Sequence, residues 1–459
     1  MIYIFIFLAA INIFIIFKNL KSGLIIFLIM NPLFSNPAIN IINVSFLPLM
    51  TLWRVVFIAI LIKFFYNLSS RKISRITISA YPLGRIQLLV LLVMSILTLI
   101  SVSGSIGAVV RIFFQHILLI FIIFLTVDNK KDIETVLKGI VYVFILFSIF
   151  GIICKITNTN LFHTEVLEKI NETGFRRIIF GEYTSQFRSG VNQRVASFFY
   201  NPISYGGHLA MCFPFLLFLF YQYKRKTRVL YFFAIFLFII NIVLTNSRTP
   251  IVVLIFTTFI FIQFSSLIKK LRFVLFIGIL FLIVLMFPNI LGNYKYTVMS
   301  ITDQNKTQAY VGGSTIESRL SLLYTMNKYI EKNYLFGYGA DALNKYIKNA
   351  NDFGGKLGGE NYSLMIAFEF GIIGLIVFYL YYFKIFKTLY SSYKLCVNNK
   401  DRYIMSSFLS MFFGWIIFVN LIGELNSFIF QSSIIGLGIK YGYLMKSESK
   451  IIVENITNA

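Results

Sequence analysis

Arginine is the residue type that stands out by position. Arg54 and Arg111 lie inside apolar runs. Arg176, Arg177, Arg188 and Arg194 lie in one polar stretch and Arg319 in another. Arg248 sits in the tight turn Thr245-Asn-Ser-Arg-Thr-Pro250. A guanidinium presents a planar fork of donors that matches phosphate oxygens in pairs. Placed centrally in an apolar span it costs about 2.5–3.5 kcal/mol on insertion scales, so it pairs with something or lines a wet cavity. Two carboxylates lie close in sequence: Glu360 just ahead of an apolar run and Glu369 within it. Arginines drawn from several separate segments are what a site for a membrane-anchored phosphate or pyrophosphate requires. The plainer reading has Arg54 and Arg111 snorkelling to headgroups and the others solvated; the set as a whole favours the anionic site.

The elements that must position these residues are membrane helices. Of 459 residues, 58% are hydrophobic and 13% charged, with mean hydropathy +0.79; a soluble domain carries about 25% charged residues. Apolar runs near the roughly 20 residues that cross a bilayer recur from end to end. The expected fold class is all-α, a polytopic membrane helical bundle and a single integral membrane domain over 1–459. Its spans are read at 2–17, 23–35, 47–65, 86–103, 106–127, 136–154, 204–222, 229–244, 250–267, 273–291, 361–383, 403–421 and 427–445, about thirteen. The second contains Asn31-Pro32 and reads either as re-entrant or as joined to the segment after it. No positive residue precedes the first apolar run, which predicts a retained helix and not a cleaved signal.

Net charge is +24. The lysines and arginines sit largely in short loops, at Lys18/Lys21, Arg71 to Arg85, Lys130-Lys131, Lys224 to Arg228, Lys269 to Arg272 and Lys384 to Arg402. These fall on one side of the alternating spans, which makes that side cytoplasmic. The excess therefore reads as a topology signal and as contact with anionic membrane lipid. Nucleic acid is not an expected partner. Two outer loops follow, 155–203 and the larger 292–360. Cys154, Cys212 and Cys396 have no metal-ligand spacing and read as packing residues; no metal and no cofactor are expected.

The second outer loop is the longest polar segment. Ser314 and Glu317 fit a capping box, and Ile316, Leu320, Leu323 and Ile330 recur at helical spacing, which predicts an amphipathic helix of roughly five turns from Ser314. Arg319 lies near its start, where the helix dipole favours anions instead. Gly337 and Gly339 predict a tight turn after it. Gly371 and Gly374 read as close-packing positions.

Three patches carry a resemblance. They are Arg194-Val-Ala-Ser-Phe-Phe-Tyr-Asn201-Pro202, then Leu244-Thr-Asn-Ser247-Arg248, then Arg319 with Gly337-Tyr-Gly339, Glu360-Asn361 and Glu369-Phe-Gly371-Ile-Ile-Gly374. In order, spacing and shared outer side they resemble the bacterial O-antigen polymerase and O-antigen ligase superfamily of multi-spanning glycosyltransferases. The resemblance implies a metal-independent transfer of glycan from undecaprenyl pyrophosphate, at the periplasmic face of the inner membrane. The donor and acceptor are then lipid-linked oligosaccharides, and a chain-length regulator is a further partner to look for. Ligases of the family have His-Asn where this chain has Glu360-Asn361, which favours the polymerase side. His116 and His208 lie within spans and read as packing residues; His163 reads as a surface residue.

Such a transfer needs a base for the acceptor hydroxyl and stabilisation of the leaving pyrophosphate. Glu360 is the expected base, with helix capping as its plainer role. Arg194, Arg248 and Arg319 are expected at the leaving group. Arg54, Arg111, Arg176, Arg177, Asn201, Asn361 and Glu369 are expected to bind substrate. Two alternatives stand beside the polymerase: an O-antigen ligase or protein O-glycosyltransferase, and, in another class, a flippase or transporter of the lipid-linked oligosaccharide.

Overall fold

The computed structural model describes residues 2–34, 40–42, 50–70, 78–101, 103–160, 162, 164, 194–199, 201–223, 225–265, 316–349, 361–422 and 428–457. The helices are α1 (Ile2–Lys18), α2 (Leu20–Phe34), α3 (Leu52–Ser69), α4 (Gly84–Ile100), α5 (Ile106–Thr126), α6 (Lys130–Thr157), α7 (Pro202–Gln222), α8 (Arg225–Leu244), α9 (Arg248–Phe264), α10 (Ile316–Lys332), α11 (Ala342–Asn349), α12 (Tyr362–Lys394), α13 (Asn399–Ile422) and α14 (Phe428–Thr457). Seven of them (α3, α5, α6, α7, α8, α12 and α13) are long and apolar enough to cross a membrane. The chain is a polytopic membrane helical protein.

Each predicted span falls on one of these helices except 273–291, which lies outside the described residues. Three details differ from the expectation. The segment with Asn31-Pro32 is an ordinary helix, α2, with Pro32 inside it. The next helix starts at Leu52 and not at 47, behind a short antiparallel pair, β1 (Asn40–Ile42) and β2 (Met50–Thr51), the one departure from helix among the described elements. The expected amphipathic helix is present as α10, while its predicted start at Ser314 lies outside the described residues.

α7 is the centre of the bundle. It is buried almost throughout and packs against α6, α8, α9 and α13. Pro214 inside it has no N–H to give, which frees the carbonyl four residues back. That carbonyl, Ala210 O, accepts from the Thr257 hydroxyl of α9 at 3.2 Å. The Ser407 hydroxyl of α13 donates to the carbonyl of Pro214 itself at 2.9 Å. The backbone defect thus supplies one cross-link between helices, and the proline's own carbonyl carries a second.

The two ends of the bundle differ in chemistry. At one end Lys130 meets Glu448 at 2.5 Å and Asp401 at 3.4 Å, Lys400 meets Glu134 at 2.6 Å, and Lys21 meets Asp132 at 2.7 Å. The segments around residues 18–21, 128–134 and 398–402, expected on one side, do meet there. The opposite end gathers the α4–α5 turn, the 333–345 loop, the turn before α9 and the start of α7.

Candidate functional site

The site is built around a break in α12. Gly371 has φ 62° and ψ −167°, a backbone state essentially confined to glycine, and divides the helix in two. The freed backbone groups are taken up by the loop after α10. Tyr338 N–H donates to Phe368 O at 3.0 Å and Gly339 N–H to Glu369 O at 2.7 Å, while Ile372 N–H donates to Tyr334 O at 2.7 Å. Asn333 reaches back to the carbonyl of Gly337 and holds the turn. Gly371 is therefore a helix break filled by a loop, where its sequence reading was close packing between helices. Gly337 and Gly339 both adopt positive φ, as the expected tight turn requires.

The same loop is sewn to the turn between α4 and α5. Ser105 N–H donates to Ala340 O at 2.8 Å, Ala340 N–H to the Thr98 hydroxyl at 3.3 Å, and the Lys345 ammonium to Ser103 O at 2.6 Å. The Ser101 hydroxyl donates to Tyr338 O. Gly104 and Gly339 pass so closely that a Cβ on Gly339 would lie 2.6 Å from the Gly104 Cα. This fastening brings Asp341 to 3.6 Å from Arg111, near the start of α5.

Glu369 is buried in the last turn before the break. The backbone amides of Asp341 and Leu343, at the start of α11, donate to its carboxylate, and Arg111 attracts it. A carboxylate at a helix start satisfies amides that have no partner within the helix. Glu369 thus ties α12 to α11.

Beside Asp341 an open cleft of about 470 Å³ runs between α3 and α5. Its walls are apolar, with Trp53, Phe57, Ile58 and Leu61 among them, and its polar groups include Arg54, Arg111, Gln115 and Asp341. Arg54 and Arg111 are near enough to repel each other. Asp341 pairs with Arg111, and both guanidinia lie at the polar end of the cleft. An anionic group with an apolar tail fits both halves of such a site. Gln115 belongs to a π-helical turn, Phe113–Leu118, inserted in α5; turns of this kind occur frequently at functional sites. His116, in the same turn, is buried with its Nδ1 3.1 Å from the Ser432 hydroxyl.

The other expected arginines lie elsewhere. Arg194 Nε donates to Thr245 O at 2.9 Å, and its other arm to the Ser247 hydroxyl. The first two resemblance patches are thus in direct contact. Asn201 caps α7, accepting from Ile203 N–H at 2.7 Å and Ser204 N–H at 3.2 Å. Arg248 is exposed as the first residue of α9. Neither Arg194 nor Arg248 lines the cleft. Asn361 caps α12, accepting from Leu364 N–H at 3.0 Å. Arg319 falls within α10. Glu360, Arg176 and Arg177 lie outside the described residues.

Asp341, Gln115 and Ser105 were not singled out in the sequence. Asp341 had a local signal: it follows Gly-Tyr-Gly-Ala and precedes a helix, where a short acidic side chain is favoured. Its partner on α5 lies far away in sequence, and nothing local points to it.

Comparison with curated proteins gives no match. Residues 233–379 match the family model described as O-antigen ligase. This segment takes in the Ser247-Arg248 turn, α10, α11 and the break in α12. The match bears out the resemblance to the O-antigen polymerase and ligase superfamily, and it supports a glycosyl-transferring function of that general kind.

Proposed function

We propose that the chain is a polysaccharide repeat-unit polymerase. It transfers the growing glycan from undecaprenyl pyrophosphate to the next lipid-linked repeat unit at the periplasmic face of the inner membrane. The observation that carries this reading is the cleft: two guanidinia and one carboxylate at the polar end of an apolar channel between α3 and α5. An isoprenoid pyrophosphate has the matching form, a multiply charged head on a long apolar tail. The family match supports the reaction class. Glu360-Asn361, in place of the ligases' His-Asn, favours polymerase over ligase.

In the proposed reaction a hydroxyl of the acceptor sugar attacks the anomeric carbon of the donor. The bond from that carbon to the pyrophosphate oxygen breaks, and its electron pair leaves with the pyrophosphate. Arg54 and Arg111 hold that charge in the cleft, with Arg194, Arg248 and Arg319 as the further cations of the outer face. Glu360 takes the proton of the attacking hydroxyl. Asn361 fixes the start of α12 just behind it, and Glu369 keeps the 333–341 loop docked so that Asp341 stays beside Arg111. Arg176, Arg177 and Asn201 are assigned to the glycan portion of the substrate.

The test is deletion of the chain from its host and display of the surface glycan on a gel. Collapse of the ladder to core plus a single repeat is the expected result. The second reading, a ligase, is favoured by the description of the matched family. It predicts loss of all glycan from core, with long chains accumulating on the lipid carrier. An unchanged ladder refutes both.

A further inference from the structure

A second cavity, of about 340 Å³, opens at the lysine-rich end of the bundle, between the α1–α2 turn, the last turns of α3 and the end of α5. In contrast to the outer cleft its lining is mainly polar, and it includes Lys18, Lys21, Lys63, Asn67, Thr126 and Asp128. Lys21 is neutralised by Asp132 at 2.7 Å and Asp128 at 3.4 Å. Lys18 and Lys63 form no ion pair among the described residues; the Lys63 ammonium lies 5.1 Å from the centre of the Tyr66 ring. The Thr126 hydroxyl is buried and has no hydrogen-bond partner among the described residues, a costly state unless a ligand supplies one. Lys63 lies about 9 Å short of the end of α3, deep enough that its ammonium must reach along the helix to the polar zone.

The surface next to this cavity is apolar and bare. Phe14 and Phe17 on α1, and Ile62 and Phe65 on α3, are 71%, 46%, 55% and 52% exposed. α1 and α3 pack together, so these exposed side chains belong to two neighbouring helices that also carry Lys18 and Lys63.

We propose that this cavity binds the phosphodiester headgroup of an anionic phospholipid from the leaflet at this end of the bundle. Lys18 and Lys63 meet the phosphate charge, the Thr126 hydroxyl donates to a phosphate oxygen, and the acyl chains lie along Phe14, Phe17, Ile62 and Phe65. A soluble phosphate shares the headgroup chemistry, but it leaves these exposed apolar side chains unused. The site is at the opposite end of the bundle from the cleft, and it does not depend on which glycan reaction the chain performs.

The experiment is native mass spectrometry of the purified full-length protein in a neutral detergent, titrated with phosphatidylglycerol or phosphatidylcholine. We expect one phosphatidylglycerol to be retained, at an affinity about tenfold above that for phosphatidylcholine. The Lys18→Gln/Lys63→Gln double variant should weaken it by about 25-fold, roughly fivefold per lysine. Lys384→Gln/Lys387→Gln, at the same end but outside the cavity, should leave it unchanged. Thr126→Val serves as a variant that alters no charge and leaves no partner stranded; it should weaken binding by about fivefold at a melting temperature no lower than that of the wild type. Equal retention of the two lipids, equal loss in both lysine pairs, or wild-type binding by Thr126→Val overturns the proposal. Displacement of the lipid by glycerol 3-phosphate at matching concentration overturns the lipid as occupant.

Discussion

Replacing Gly371 with alanine forces a choice between two costs. If the 333–341 loop stays docked, a side chain must adopt a glycine-only backbone state, at about 1–3 kcal/mol. Its Cβ would also sit 2.2 Å from the Leu335 carbonyl oxygen and 2.4 Å from its carbon. Those are backbone atoms and cannot swing aside. If the loop retreats, the hydrogen bonds from Tyr338, Gly339 and Ile372 are lost, at about 0.5–1.5 kcal/mol each. The cheaper route caps the penalty, so we predict about 2–4 kcal/mol, a shift of roughly 30- to 700-fold in the docking equilibrium. Hydrogen exchange followed by mass spectrometry on the purified protein reads this directly. Peptides containing Tyr338, Gly339 and Ile372 should exchange faster by that factor in Gly371→Ala. They should be unaffected in Gly84→Ala, where an added Cβ meets only a Tyr81 ring carbon at 3.6 Å. Unchanged exchange in Gly371→Ala would refute the account of the break.

The cleft predicts opposite signs for its two partners. Arg111→Gln removes a cation and should weaken binding of undecaprenyl phosphate by about tenfold, whereas Asp341→Asn removes the neutralising charge and should tighten it by about fivefold; a loss in both would show that Asp341 acts by orienting Arg111. Arg194→Ala gives up the contacts with Thr245 and Ser247 and should lower stability by about 1–3 kcal/mol, with Arg194→Lys recovering no more than part of it because an ammonium lacks the fork. A thermal melt in detergent matching the wild type would remove that role. Burial, and then the Asp401 carboxylate, push the Cys396 thiol up to about 12. The neutral thiol is favoured at every pH below that value, so near neutrality Cys396 should resist maleimide until the protein is denatured; labelling at the rate of a free cysteine in the native protein would contradict this.

Much of the fold was legible because hydropathy and the spacing of lysines are local signals. Among the described residues, span positions from Ile2 to Phe264 and from Tyr362 onward follow from them, as does the meeting of the segments around 18–21, 128–134 and 398–402 at one end. The position of Arg54 and Arg111 inside apolar runs was also a local signal, and both line one cleft. What was not legible depends on which segments meet. Asp341 matters through Arg111, and Glu369 through the start of α11; each pairing joins residues far apart in sequence. Gly371 was read as a packing glycine because Phe-Gly-Ile-Ile-Gly fits a continuous membrane helix equally well. Only the tertiary loop that fills the break distinguishes the two. Glu360 and the stretch before Ile316 lie outside the described residues, so the expected base and the approach to α10 rest on sequence alone.

The loop inside α12 also bears on how the chain can be made and rearranged. Hydropathy is sufficient to drive the segment from Tyr362 into the bilayer, but not to complete its backbone, because three of its hydrogen bonds come from residues 334–339. In hydrocarbon such bonds cannot be left to solvent. The preceding loop must therefore have docked against it before this span reaches its final form, which separates insertion from maturation in time. The same dependence defines a unit of exchange. A chimera that swaps α12 between relatives without residues 333–345 inherits a break with nothing to fill it, whereas moving 333–374 as one block carries the break and its filling together.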